Sequence, residues 1–122
     1  MKLRIQENSI RIRLSIEELE SLFLSEEVDM KTYTPSDTLI TRLIPSGHTS
    51  VTLSGSQMNI FLSHKQIEHL KLSNAEGFKE TIEFNPNGPL VLSVQKDYVC
   101  IGREENLNKG LFPNPKAIDG TC

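Results

Sequence analysis

The chain repeats its own pattern, and that repetition limits the folds open to it more than any other feature. Residues 10–25 read IRIRLSIEELESLFLS, and residues 58–73 read MNIFLSHKQIEHLKLS. At an offset of 48, Ile12, Leu14, Ser15, Glu20, Leu22, Leu24 and Ser25 meet the same residue types at Ile60, Leu62, Ser63, Glu68, Leu70, Leu72 and Ser73. A unit present twice implies internal pseudo-twofold organisation, so an element assigned in one copy can be checked in the other.

In the first copy, Lys2 to Gln6 and Ser9 to Leu14 alternate polar with apolar residues, the period of half-buried strands. Glu7 and Asn8 between them predict a tight hairpin, with Asn8 taking the positive φ. Ser15 is the expected cap of a helix, with Glu18 in the capping-box position. Ile16, Leu19, Leu22 and Phe23 fall at helical spacing as its buried stripe. Strands follow from Val28 to about Thr34 and from Thr38 to Ile44, ended by Pro35-Ser36-Asp37 and Pro45-Ser46-Gly47. The second copy gives strands from Ser50 to Leu53 and from Gln57 to Leu62, around a Ser54-Gly55-Ser56 turn. Ser63 caps a shorter helix with Gln66 in the capping-box position, Ile67 and Leu70 facing inward. Strands over Phe78 to Phe84, Leu90 to Gln95 and Tyr98 to Ile101 complete the pattern. Tyr33-Thr34-Pro35 aligns with Phe84-Asn85-Pro86, which moves the offset to 51 and lengthens the helix-to-strand link by three residues. At that offset the third strands of the two copies disagree in phase.

The expected fold class is therefore α+β: a mainly antiparallel β-barrel or curved sheet with two short helices and an internal pseudo-twofold ββαββ duplication. Residues 1–102 form one duplicated domain, copy one over 1–48 and copy two over 49–102, and residues 103–122 an extended tail. Closure into a barrel would remove the exposed edges each unit carries alone. The layout, with Asn8 to Ser15 at the turn, second strand and helix start, resembles the swapped-hairpin barrels of bacterial transition-state regulators and antitoxins. The family's Gly-Arg turn and helix-opening Pro are missing here, and double-psi barrels fit the same order nearly as well. A closer similarity is to a small uncharacterised bacterial family of about this length. It is carried by Lys2-Leu3-Arg4-Ile5, Asn8-Ser9-Ile10-Arg11 and Arg13-Leu14-Ser15 at the start. At the other end it rests on Lys96-Asp97-Tyr98 with Cys100 and on Phe112-Pro113-Asn114-Pro115. That resemblance implies no activity and transfers no catalytic residue.

A chain of 122 residues suits one core. No apolar run approaches the ~20 residues of a membrane helix, and a charged, strand-like start is not a signal peptide. Two cysteines, Cys100 and Cys122, make no disulfide framework, so a reduced, cytoplasmic protein is expected. The net charge of -3 disfavours nucleic acid as the main partner, since that binding relies on neutralising phosphates.

Two surfaces stand out as candidate binding sites. Lys2, Arg4, Arg11 and Arg13 alternate with apolar residues and should project from one side of the first hairpin, where they could hold phosphate or a nucleic-acid backbone. Against this, Glu17, Glu18, Glu20, Glu26, Glu27 and Asp29 follow and could neutralise them, and no aromatic residue interleaves to stack a base. The other is Phe112, Pro113, Asn114 and Pro115. The prolines lower the entropy lost on docking, so this segment either binds a partner or folds back with Phe112 in a groove of its own domain.

Cys100 shares a strand face with Tyr98 and has Asp97, not a base, beside it, so it reads as a buried structural thiol. His64 and His69 are five apart on one helix, about 140° around its axis, a poor arrangement for one metal, and His48 sits in a turn. No phosphate-loop, nucleophile-elbow or paired-carboxylate pattern occurs. The expectation is a monomeric binding module without cofactor, acting through protein contacts. A DNA-associated regulator using the basic hairpin is the second reading, and a small enzyme or ligand-binding barrel with a site between the halves the third.

Overall fold

The computed structural model describes residues 1–98 and 110–113. Its elements run β1 (Lys2–Gln6), β2 (Ser9–Leu14), α1 (Ile16–Phe23), β3 (Val28–Tyr33), β4 (Thr38–Ser46), β5 (Ser50–Ser54), β6 (Gln57–Ser63), α2 (His64–Leu72), β7 (Gly77–Ile82) and β8 (Leu90–Lys96). The α+β class and the two helices are as the sequence implies. Among the described residues no helix is long and apolar enough to cross a membrane.

The strands do not close into a barrel. They form two four-stranded mixed sheets, ordered β1-β2-β8-β7 and β3-β4-β6-β5. In each, the outer pairs are antiparallel hairpins and the central pair, β2 with β8 or β4 with β6, is parallel. Each sheet thus joins the first hairpin of one copy to the second hairpin of the other. Among the described residues both sheets keep open edges, because no ladder joins β1 to β7 or β3 to β5. The chain gathers into two compact units: one holds Met1–Glu17 with the chain from Glu76 onward, the other Glu18–Ala75.

The registers follow the repeat residue for residue. Leu3 faces Ile12 as Val51 faces Ile60, and Ser9 faces Val91 as Gln57 faces Ile40. The phase conflict in the third strands has a simple cause. Leu43 and Val94 are equivalent at the offset of 51, yet their partners Val28 and Phe78 are 50 apart. Two of the three extra residues therefore lie before β7, and the third lies in the β7–β8 turn. At the corrected offset Val28 and Met30 match Phe78 and Glu80 as half-buried positions.

Alternation buries one side of each sheet. In the first sheet Ile10, Ile12, Leu14, Leu92 and Val94 are buried; in the second, Leu43, Met58, Ile60 and Leu62 are, with Thr41 among them. Helix α2 lies on β6 and β4 and buries Ile67 and Leu70. Helix α1 buries Leu19 and Leu22, but Ile16 and Phe23 are 43% and 36% exposed, so its apolar stripe is narrower than the spacing suggests. Phe23 instead lies under the Lys71 ammonium, 6.0 Å from its ring centre, and Lys71 also pairs with Glu20 at 2.9 Å.

Local chemistry explains the ends. Ser63 Oγ accepts the Gln66 N–H at 3.2 Å, which caps α2. The return bond of a capping box is relayed: the Ser63 N–H donates to Thr49 Oγ1, whose hydroxyl donates to Gln66 Oε1 at 2.5 Å. In the first hairpin Glu7, not Asn8, takes the positive φ, matching Gly55 in the second copy. The Asn8 amide is used otherwise, donating to the carbonyls of Asn87 and Pro89 at 3.0 Å each. β4 continues through Pro45 and Ser46, beyond Leu43, the last residue paired with β3, so proline there interrupts no ladder on that side.

Candidate cationic sheet face

The side of the first sheet turned away from its core is cationic. Lys2 lies directly opposite Arg13, and Arg4 opposite Arg11. Arg11 is next paired with Ser93, and Ser93 with Lys79. A single row across four strands therefore reads Arg4, Arg11, Ser93, Lys79, and its neighbour reads Lys2, Arg13, Gln95, Gly77. Residues directly opposite on one face have Cβ atoms about 4.5–5.5 Å apart, and like charges so placed repel. Lys2, Leu3, Arg4, Arg11 and Arg13 line a surface concavity of about 120 Å³, large enough for a carboxylate or phosphate group.

Among the described residues, one carboxylate meets this face. Asp97, 6% exposed, receives the Lys2 ammonium at 2.7 Å. Its N–H donates to Leu14 O at 2.8 Å, so it continues the line of β8 beside the end of β2. Among the described residues no carboxylate pairs with Arg4, Arg11, Arg13 or Lys79. Three acidic residues that could have neutralised the patch serve elsewhere. Glu27 and Asp29 hold Arg42 at 3.6 and 2.8 Å, and Glu20 holds Lys71. The Asp29 hydrogen bond and charge, with Glu27 adding, raise the Arg42 pKa above its ordinary value against a smaller opposing effect of burial.

The second sheet supplies an internal comparison. Its equivalent rows read Thr52, Asn59, Arg42, Asp29 and Ser50, Phe61, Ile44. In those rows the same topology in the same register carries one cation, neutralised by two carboxylates, and Lys31 lies one row further along the same face. Stacked unpaired cations are therefore no requirement of this fold.

The tail residues separate. Phe112 lies against its own unit: its N–H donates to Asp97 O at 2.8 Å, it bridges in parallel to Tyr98, and the two rings meet edge-on at 6.1 Å. The Lys96 ammonium is 5.5 Å from the Phe112 ring centre, and Gly110 O accepts the Ile16 N–H. This segment fills the gap where β2 and β8 diverge. Pro113 is exposed, while Asn114, Pro115 and Cys100 lie outside the described residues. Of the expected last strand, Tyr98 forms that bridge and the rest is likewise outside them. His64 and His69 are exposed on α2, and among the described residues no group of three or more His, Cys, Asp or Glu is placed to hold a metal.

Burial, with the Glu76 charge adding, pushes the Tyr98 phenol above its ordinary value of about 10. The folded state thus favours the protonated phenol. Its contribution is complete below about pH 10 and is lost as pH rises through the raised folded value. Melting temperature should fall on alkaline titration through this range, and Tyr98→Phe should flatten the decline. An equal decline in both proteins would refute the assignment.

Sequence reasoning reached the four hairpin cations but missed Lys79 and the role of Asp97. Lys79 joins the row only through the β2–β8–β7 adjacency, which no local pattern announces. In comparison with known protein families, the model of a family of unknown function (DUF7009) matches residues 1–116. No curated protein and no solved structure matches.

Proposed function

The chain belongs to that family of unknown function, and from its sheet chemistry we propose that it is a binding module whose cationic face takes an acidic segment of a partner protein. The observation that carries this reading is the contrast between the two sheets. One architecture in one register bears two like-charge cross-strand pairs on the first sheet and a near-neutral face on the second. Repulsion that folding does not require is explained by a ligand that relieves it. Three of the cations are arginines, whose planar guanidinium forks suit carboxylates. An acidic protein fits better than nucleic acid, because the two rows hold no aromatic residue to stack a base and the chain carries a net charge of -3.

Arg11→Glu with Arg13→Glu tests this. The pair of substitutions converts both like-charge pairs to opposite-charge pairs, so stability should hold or rise, by roughly 0.2–1 kcal/mol per pair. Binding of labelled poly-glutamate, followed by anisotropy, should fall at least about thirtyfold and should weaken with salt in the unaltered protein. Unchanged binding, or wild-type binding indifferent to salt, would remove the basis of this reading. Tighter binding of duplex DNA than of poly-glutamate would replace the protein partner with nucleic acid.

A further inference from the structure

Resting on that reading, we propose that the acidic segment docks as an added strand along the open edge of β1, with acidic and apolar side chains alternating. β1 ends its sheet and, among the described residues, pairs with β2 alone. Four of its five residues are exposed. A sheet edge of this kind presents unpaired backbone N–H and C=O groups, the template used when an extended peptide adds to a sheet.

The side chains of β1 specify what such a strand must carry. Lys2 and Arg4 project to the cationic face, while Leu3 and Ile5 project to the opposite side. Ile5 is 57% exposed although its cross-strand neighbour Ile10 is 5% exposed, so the apolar side is incomplete at this edge. In a strand paired to β1, residues opposite Lys2 and Arg4 would lie within cross-strand reach of both cations, with Arg11 and Arg13 behind them. The residues between would cover Leu3 and Ile5. Acidic side chains at every second position with apolar ones between satisfy both faces. The five residues of β1 span roughly 17 Å, which sets the minimum length of the segment.

Charges on an edge strand also serve to keep edges apart. The equivalent edge answers that alternative. β5 reads Ser50, Val51, Thr52, Leu53, Ser54, carries no charge, and leaves Leu53 75% exposed. This fold tolerates an unguarded edge, so the charges of β1 are not there as a general guard. They do repel a second β1, which selects an occupant of opposite charge.

The test uses the whole protein and two labelled peptides of about eight residues, enough to span β1 with a margin. One alternates Glu and Val; the other has the same composition with all Glu preceding all Val. The alternating peptide should bind at least about tenfold more tightly, and amide hydrogen exchange in β1 should slow in its complex. Equal affinities, both abolished by Arg11→Glu with Arg13→Glu, would overturn strand addition while leaving the cationic-face reading in place. Absence of salt-sensitive binding by either peptide and by poly-glutamate would overturn both. Tighter binding of duplex DNA than of either peptide would overturn the proposal in favour of a nucleic-acid ligand.

Discussion

Cut between His48 and Thr49, the protein is expected to yield two fragments that are each largely unfolded and that regain structure on mixing. The cut falls at the boundary of the repeat, where a duplicated protein would ordinarily separate into two self-sufficient halves. Here it removes the parallel partner of every central strand. The first fragment keeps β1–β2 and β3–β4 but loses β8 and β6, against which β2 and β4 are paired. Each hairpin is then left with one ladder, and isolated two-stranded hairpins are marginal in water. Ile12 and Leu43, both fully buried in the intact chain, would face water in such a hairpin. The fragment spanning 18–75 is the control. It contains β3, β4, β5, β6 and α2, hence the whole second sheet, and should keep more strand signal than either half. Circular dichroism and amide dispersion in the NMR spectrum of each fragment, alone and mixed, decide the matter. A monomeric fragment of either half with a native-like spectrum would contradict the exchanged pairing.

Replacing Ile12 or Ile60 with alanine should cost about 2–5 kcal/mol each, measured by denaturant titration. These residues are equivalent in the repeat, and both have 0% exposure. Ile12 sits between Leu3 and Val94, and Ile60 between Val51 and Leu43, each on a central strand with neighbours on both sides. Truncation at such a position removes transfer energy and leaves a cavity that ladders on both sides keep from collapsing. The two costs should be similar, because register and flanking residue types correspond. A loss under about 1 kcal/mol at either position would show that its surroundings collapse onto the gap, contrary to the packing described.

Element positions were legible because they depend on short-range signals. Alternation, capping serines and Pro- or Gly-bounded turns placed the eight strands and two helices between Lys2 and Lys96 to within about two residues. The pairing of hairpins was not legible. Ser9 meets Val91 across most of the chain, and nothing in either segment names the other. That gap produced the expectation of a closed barrel, since two identical units with open edges admit closure as readily as exchange. The misplaced phase of β3 and β7 had a smaller cause, one residue in a turn that the Pro-based alignment assigned to a link. The cationic face was half visible for the same reason. Lys2, Arg4, Arg11 and Arg13 share one hairpin, whereas Lys79 and Ser93 belong to strands brought there by the exchange. Phe112 could not be placed because its partners, Asp97, Tyr98 and Lys96, act on it through the fold.

The position of β3 to β6 along the chain, between the strands of the first sheet, also orders events in time during synthesis. The second sheet is continuous in the chain, from β3 to β6, and can pair as it leaves the ribosome. β1 and β2 emerge before it, yet the strand beside β2 is β8, the last of the named strands to be made. At roughly 5–20 residues per second, the hairpin bearing the arginines waits on the order of 4–16 s for its neighbour. For that interval the nascent hairpin is an unfinished sheet fragment without Asp97 to hold Lys2. The complete cationic surface therefore comes into being late in translation, when β8 and β7 have reached it.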